Sequence, residues 1–512
     1  MRYFFLIIIP LMILSSCKNK SLKLNENDLA QKILSEEEIL AQKEELRLKK
    51  EQELADSLAR LPKGFRFKSV RKTDASHPPI VIDIENRMDS IKEFNLSDVA
   101  KGIEYIKMQN LPDSGFVNNI NYKYYMTDKH IVASNLYGIH LFTKNGEFKN
   151  TIVKNQLSGV KYKEDQNQVL VYYSEYANIG GSTSVWSRGD QLYYNYRNTN
   201  SGQNYIMEVD CSKDLINTQY QFDPENPLAV SGAGKVLVDL NKGQNKPFKA
   251  PYPNGMSSFA PQNTYEYIGI FTPDRNTYFS RRSRKGNMLE IFNTKGDTLA
   301  EFTKFERLVN FKARVIRGFD YGTQYEKGGN YYFRSDYNDT IFKVIPPNII
   351  KPEYVIKLGK HKVSKQDASH PNFDLKGKIV PNQWADGNNY IFIGLIMDDN
   401  YCPNSRKRKS IKLLYALYSK KNKQLHFVKS DPYNYNSPIL QNDIDGGFSV
   451  WPSSYMINRE GHIMVSLQGK DIKEKVASDE FKNSTAPAAN KEKLVQLAKN
   501  CSDTDQILML VK

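Results

Sequence analysis

Four aspartates and a tryptophan are the residues of this chain of 512 whose types and spacing best suit chemistry. Asp443 and Asp445 stand in Asn442-Asp-Ile-Asp-Gly-Gly-Phe-Ser-Val-Trp-Pro452, and Asp336 and Asp339 in Asp336-Tyr-Asn-Asp339. Carboxylates two residues apart offer hard oxygen ligands to Ca2+, and Gly446-Gly447 lets the backbone turn tightly around an ion. The same residues also suit a plain turn, in which Asn442 and Asp443 bond back to the main chain, the glycines take positive φ and Trp451 packs between sheets. The spacing favours the turn: an EF-hand-type loop needs more oxygen donors and a distal bidentate Glu, where Phe448 to Pro452 follow instead. Asp336 and Asp339 precede a strand and carry the same two readings. Asp443, Asp445, Asp336, Asp339 and Trp451 are therefore the candidate ligand or metal residues, with Ca2+ the one cofactor they suggest.

Little else in the chain resembles a catalytic site, and no catalytic residue is assigned. The seven His are scattered, with no HExxH, no zinc spacing and no nucleophile elbow. Ala229-Val-Ser-Gly-Ala-Gly-Lys-Val236 imitates a phosphate-binding loop, but Ala229 replaces its first Gly and Val236 the hydroxyl that would hold Mg2+. Asp74-Ala-Ser-His77-Pro recurs as Asp367-Ala-Ser-His370-Pro, and each reads as a turn ahead of a proline-set strand. Besides Cys17 there are Cys211, Cys402 and Cys501, too dispersed for a metal cluster; which of the three would pair stays open.

The elements that must carry these residues begin with an export signal. Arg2 precedes an apolar run from Phe4 to Leu14, well short of the ~20 residues a transmembrane helix needs. Leu14-Ser15-Ser16-Cys17 has the form of a bacterial lipobox, so residues 1–16 are expected to be removed and Cys17 to carry the lipid that binds the membrane. Residues 17–64 then form the anchor and a helical spacer. Glu26 to Leu61 is rich in Glu, Lys, Leu and Ala, contains neither Gly nor Pro, and stops at Pro62-Lys63-Gly64. Its heptad stripe is thin, while Glu45 with Lys49 and Asp56 with Arg60 support a helix standing in solvent. The net charge of +15 is spread along the chain, as on a lysine-rich solvated surface, and nucleic acid is not an expected partner. The one dense run, Arg406-Lys407-Arg408-Lys409, falls in a loop. Lys18-Asn19-Lys20 lacks an acidic run, which places the lipoprotein on the periplasmic face of the outer membrane rather than on the cell surface.

From residue 65 the pattern becomes short runs of Tyr, Phe, Ile and Val separated by Gly, Asn and Asp, which predicts an all-β domain over residues 65–512. Ile139-HLFTKNGEFKNTI and Leu289-EIFNTKGDTLAEF align without gaps at an offset of 150, matching Phe142 with Phe292 and Gly146 with Gly296. Both read as hairpins, Asn145-Gly146 supplying the positive φ a tight turn demands. Looser copies begin at Tyr205, Asp339 and Leu414, so that the five hairpins fall about 70 residues apart on average, and such arrays close radially to bury their faces. The spacing predicts a six-bladed β-propeller. Its last blade would join Tyr455–Leu467 and Gln506–Lys512 to an early strand, Ile80–Ile84 or Ile103–Met108. Residues 470–502 read as two short helices inserted near the C-terminus.

The start IVIDIENRMDSIKEFNLSDVAKGIEYIKMQ, the hairpin GIHLFTKNGEF, the segment YYFRSDYNDTIFKV, the stretch NDIDGGFSVWP and the ending DQILMLVK together resemble the six-bladed β-propeller lipoproteins of Bacteroidetes, with NHL-like domains of unknown function. One departure is the segment Thr151 to Gln156, which stands where many relatives have a glycine-rich turn. The resemblance implies the fold and supplies no catalytic residues. A noncatalytic binding or assembly protein of the cell envelope is the first expectation, its ligand a glycan, a peptide or an envelope protein held by exposed aromatics. A Ca2+-dependent hydrolase or lactonase using the propeller channel is the second. The third is a structural envelope protein that binds through its N-terminal helix.

Overall fold

The structure is a computed structural model. It describes residues 65–111, 122–135, 138–154, 160–163, 168–171, 185–197, 204–212, 234–239, 267–271, 277–281, 287–292, 298–303, 322–328, 330–335, 337–364, 374–398, 411–433, 439–452, 456–458 and 460–512, with Gln42, Glu45, Leu46, Lys49, Glu53, Pro62 and Asp367. Cys17, Asp336, Cys402 and the basic run 406–409 lie outside the described residues. Gln42, Glu45, Leu46, Lys49 and Glu53 are helical, inside the stretch expected to form the spacer.

Four strands come first: β1 (Val70–Arg71), β2 (Ile80–Asp83), β3 (Ile91–Lys92) and β4 (Ile103–Lys107). Then come β5 (Lys123–Met126), β6 (His130–Asn135), β7 (Gly138–Thr143) and β8 (Phe148–Lys154), and the hairpin β9 (Val160–Lys163) and β10 (Gln168–Val171). The next group is β11 (Val185–Arg188), β12 (Gln191–Arg197), β13 (Asn204–Asp210) and β14 (Gly234–Asp239). It is followed by β15 (Tyr267–Phe271), β16 (Thr277–Arg281), β17 (Asn287–Phe292) and β18 (Thr298–Thr303). The last strands are β19 (Thr323–Lys327), β20 (Asn330–Arg334), β21 (Thr340–Ile345), β22 (Ile349–Lys357), β23 (Ile379–Asp386), β24 (Tyr390–Met397), β25 (Lys412–Ser419), β26 (Gln424–Val428), β27 (Ile463–Gln468) and β28 (Gln506–Val511).

These strands pair with their chain neighbours as antiparallel meanders: β5 to β8, β11 to β14, β15 to β18, β19 to β22 and β23 to β26, with β27 and β28 completed by β4. The period-2 alternation of each strand sends successive side chains to opposite faces, so one sheet can serve two neighbours. β28 shows this plainly, being buried at every position. Its Leu508 and Leu510 pack with Ile131 and Phe142 of the β5–β8 sheet. Its Ile507, Met509 and Val511 pack with Phe392 and Leu417 of the β23–β26 sheet. The series continues, as Trp384 and Ile393 meet Ile341 and Tyr354 of the β19–β22 sheet, whose Phe333 and Phe342 meet Ile291 and Leu299. The architecture is thus mostly β, its sheets stacked face to face in a propeller-like arrangement.

The N-terminal stretch laces these sheets together along their edges. Phe67 N–H donates to Leu299 O on β18 (2.8 Å), β1 and β2 both run parallel to β22, β3 runs parallel to β26, and β4 pairs antiparallel with β28. Each pairing covers an edge strand that would otherwise present unpaired backbone groups. Of the two early strands expected to complete the last sheet, the Ile103 strand does so and the Ile80 strand joins β22.

The expected turn at Asn145-Gly146 has Gly146 at φ 87°, and a Cβ there would lie 2.3 Å from Lys107 O, so both conformation and space call for glycine. Between β27 and β28 lie three helical segments where two were expected: α1 (Gly469–Ala477), α2 (Asp479–Lys482) and α3 (Ala488–Asn500). Ile472, Phe481 and Leu494 bury their apolar faces against the β23–β28 core. No helix among the described residues is long and apolar enough to cross a membrane.

Candidate functional site

The Asn442 to Gly447 loop leads from β26 toward β27 and is wedged between the N-terminal stretch and the helices. Asn442 Oδ1 accepts from the N–H groups of Ile444 and Asp445 (both 3.1 Å), the side-chain turn its residue type suits. Asp445 is buried; its Oδ1 accepts from Gly447 N–H (2.8 Å) and Asn442 Nδ2 (2.7 Å), and its Oδ2 from the Tyr105 hydroxyl (2.9 Å). Asp443 faces the other way and accepts from Ser97 N–H (3.0 Å) and Ser97 Oγ (2.5 Å). Burial, and then the Asp445 charge, push the Tyr105 phenol far above its ordinary range. Gly446 has φ 74°, and a Cβ on it would stand 2.7 Å from Ser484 Oγ. Asp443 and Asp445 therefore share a turn without converging, and each carboxylate oxygen already has a protein donor.

The other sequence candidates lie elsewhere. Asp339 stands immediately before β21 and pairs with Lys362 (2.9 Å). Trp451 meets Phe392 edge-on (5.3 Å between centroids) and Tyr415 (5.2 Å) on the β23–β26 sheet. Asp74 accepts from Ser76 N–H and Oγ in a turn and pairs with Lys351 (3.0 Å). Cys211 and Cys501 are buried free thiols. Among the described residues no group of three or more His, Cys, Asp or Glu could hold a metal ion.

Beside Trp451 the β23–β26 sheet has a cavity of about 390 Å3, lined by Asn382, Gln383, Gly394, Ile396, Leu413 and Tyr415 among others. Its origin is local. The register of β23 against β24 shifts between Pro381 and Gln383, and opposite the shift stands Gly394, where a Cβ would lie 2.9 Å from the Gln383 Cβ. At the cavity's end the lining residue Leu413 donates its N–H to Pro432 O (2.8 Å). One aromatic ring, an aliphatic floor and two side-chain amides thus line one concavity, a combination whose shape and polarity suit a flat, hydroxyl-rich or amide-rich ligand.

A second polar centre joins two sheets at the end where the first and second strands of each meander turn. The buried Asp386 closes β23; its Oδ2 accepts from the Tyr325 hydroxyl (2.9 Å) and the Tyr354 hydroxyl (3.3 Å). Its Oδ1 accepts from Lys327 (2.6 Å) and from Lys420. Both ammonium groups also donate to Gly387 O. Burial holds Lys420 down to about 8 against the opposing pull of Asp386, and Lys327 lowers it further. Burial raises Tyr325, Tyr354 and Tyr332, with the Asp386 charge adding to each. Sequence reasoning missed this group, because its members sit 59 and 34 residues from Asp386 and meet only once neighbouring sheets pack. The one available signal was the shared Glu-Lys-Gly-Gly-Asn and Ala-Asp-Gly-Asn-Asn pattern, a charged residue directly before a turn glycine.

The profile of the family described as "Domain of unknown function (DUF4933)" matches residues 62–478. Among solved structures, the chain is similar to a candidate exported protein of Bacteroides fragilis at 13% identity and TM-score 0.48, over 85% of this chain and 99% of that one. It is also similar to a protein of unknown function from Bacteroides caccae at 9% identity and TM-score 0.29, over 61% and 84%. A quinoprotein alcohol dehydrogenase-like protein of Bacteroides thetaiotaomicron matches at 10% identity and TM-score 0.26, over 61% and 67%. No curated protein matches.

Proposed function

The chain belongs to the DUF4933 family, and we propose that it is an exported, lipid-anchored, six-bladed NHL-like propeller that binds a ligand of the cell envelope without transforming it. Lipidation at Cys17 would hold it to the outer membrane, on the periplasmic face, with the helical spacer lifting the propeller clear. The blade count is supported by the five meanders together with the β27–β28–β4 sheet, which make six sheets of three or more strands among the described residues.

The observation that carries the binding role is the cavity lined by Tyr415, where Asn382 and Gln383 supply donors and acceptors next to the Tyr415 ring, itself packed against Trp451. A ring that offers its face to C–H groups, flanked by amides that fix orientation, suits a saccharide, with an extended peptide as the other fit. The test is retention of fluorescent oligosaccharides and peptides by the purified chain carrying Cys17→Ser. The binding role predicts saturable retention of unaltered ligand that falls at least tenfold in Tyr415→Ala and Asn382→Ala. Cleavage of a retained ligand would refute it in favour of a hydrolase. Loss of incorporated radiolabelled palmitate in Cys17→Ala cells checks the anchor separately.

A further inference from the structure

We infer that Lys327 and Lys420 form a binding subsite for a single oxyanion, a carboxylate or sulfate carried by a small ligand, at the end of the sheets opposite the cavity.

Two ammonium groups share the same two acceptors, Asp386 Oδ1 and Gly387 O. Two donors on one acceptor lie no more than about two hydrogen-bond lengths apart, roughly 5–6 Å. One carboxylate therefore faces two cations, and the centre keeps one unit of positive charge where burial makes charge costly. Among the described residues the ion pairs of both lysines are with Asp386. Tyr325 and Tyr354 are neutral donors to the other oxygen of Asp386, and Tyr332 stacks on Tyr325 with centroids 4.9 Å apart. Glu353 acts on the hydroxyls of Tyr332 and Tyr354, while the largest charges acting on Lys420 are Asp386 and Lys327. On the adjoining turn the Glu460 carboxylate is engaged with His462 (3.1 Å).

The centre is also open to a ligand. An ammonium has three N–H donors; each lysine spends two on Asp386 and Gly387, leaving one apiece. The Lys327 and Lys420 side chains are 25% and 22% exposed, whereas Asp386 is 1% exposed, so the lysines and not the carboxylate face solvent. An oxyanion with two oxygens can accept both remaining donors at once and restore neutrality. Burial, and after it the neighbouring Lys327 ammonium, holds Lys420 down to about 8 against the pull of Asp386, and a bound anion would raise it.

The experiment is thermal unfolding of the full chain at pH 7 with sodium sulfate, sodium glucuronate or sodium chloride at matched ionic strength. The subsite predicts saturable stabilisation by sulfate or glucuronate beyond that of chloride. Lys420→Met and Lys327→Met should abolish the increment and Lys420→Arg should retain it, while Lys429→Met, at a surface pair with Glu93, should leave it intact. A response to sulfate alone assigns the oxyanion to sulfated ligands, and a response to glucuronate alone to carboxylates. Equal effects of all three salts, or an increment that survives both methionine variants, would overturn the subsite. If the methionine variants do not fold, loss of the wild-type increment between pH 7 and pH 9.5, as Lys420 gives up its proton, decides the matter. The cavity at Tyr415 lies at the other end of the sheet, so failure of either site leaves the other standing.

Discussion

The Tyr105 hydroxyl donates to Asp445 Oδ2 across 2.9 Å, tying a strand from the start of the domain to a loop 340 residues later. The bond forms because β4 completes the β27–β28 sheet and so brings Tyr105 beneath the Asn442 to Gly447 turn. Replacing Asp445 by Ala leaves Tyr105 O–H, Gly447 N–H and one Asn442 N–H without their acceptor in a buried place, a loss of about 2–4 kcal/mol. Tyr105→Phe removes one donor and leaves the other bonds of Asp445 in place, and is expected to lose about 1–3 kcal/mol, less than Asp445→Ala. Urea unfolding of the two variants measures the difference; equal losses would mean that the Tyr105 bond alone carries the contribution of Asp445 and that the bonds from Gly447 and Asn442 add nothing.

The same geometry makes a prediction about calcium. Both carboxylates of the turn are saturated by Ser97, Gly447, Asn442 and Tyr105, and an ion would have to displace those donors. A metal binding the native state at 100 times its Kd would add roughly 2.7 kcal/mol. The melting temperature is therefore expected to be the same in EDTA and in millimolar Ca2+, in the wild type and in Asp443→Ala alike. A calcium-dependent rise lost in Asp443→Ala would turn the loop into a metal site and bring the hydrolase reading forward.

What the sequence made legible follows from range. The hairpin at Asn145-Gly146 and the strands of β7 and β17 were readable because alternation and turn chemistry are local, as was the turn character of Asn442 to Gly447. The pairing of β4 with β28 was also within reach, since a radial array must join its ends. The parallel addition of β1 and β2 to β22 carried no local sign, because an edge strand and a covering strand share one composition. The Asp386 centre was invisible for the same reason: Lys327 and Lys420 are ordinary turn lysines until sheet packing sets them on one carboxylate. Trp451 packs on Phe392 and Tyr415, and the concavity next to Tyr415 depends on Gly394 lying opposite the Gln383 irregularity, a relation between two strands.

The N-terminal stretch is expected to act as a fastening rather than a tail. Ser69 Oγ donates to Glu301 O (2.5 Å) and Arg71 to Thr303 O (2.6 Å), while β1 and β2 cover β22. A fragment beginning at Lys101 keeps β4 but exposes the edges of β18, β22 and β26. It should melt several degrees below a fragment beginning at Pro62 and associate through the bared edges. Light scattering and thermal unfolding of the two fragments test this; matching curves would show the stretch to be dispensable.

The Lys420 centre should appear in the pH dependence of stability. Its folded value is about 8 against an ordinary 10.5, so between these limits the unfolded chain holds a proton that the folded chain has released. Stability rises with pH wherever the unfolded state binds more protons, so the Lys420 contribution is unfavourable below about pH 8 and is relieved as pH climbs to 10.5. Tyr325 and Tyr354, raised by burial, act oppositely, since above their ordinary value the folded chain keeps protons that the unfolded chain sheds. Cys211, pushed up to about 12, acts in the same sense as the tyrosines. These opposing contributions are largely common to wild type and Lys420→Met, so the difference between the two proteins isolates the lysine. That difference is expected to be flat below pH 8 and to move in favour of wild type by on the order of 1–2 kcal/mol up to pH 10. Urea unfolding across pH 6.5 to 10 measures it, and a difference that stays flat throughout would mean that Lys420 titrates as a surface lysine and that Asp386 alone balances the pair.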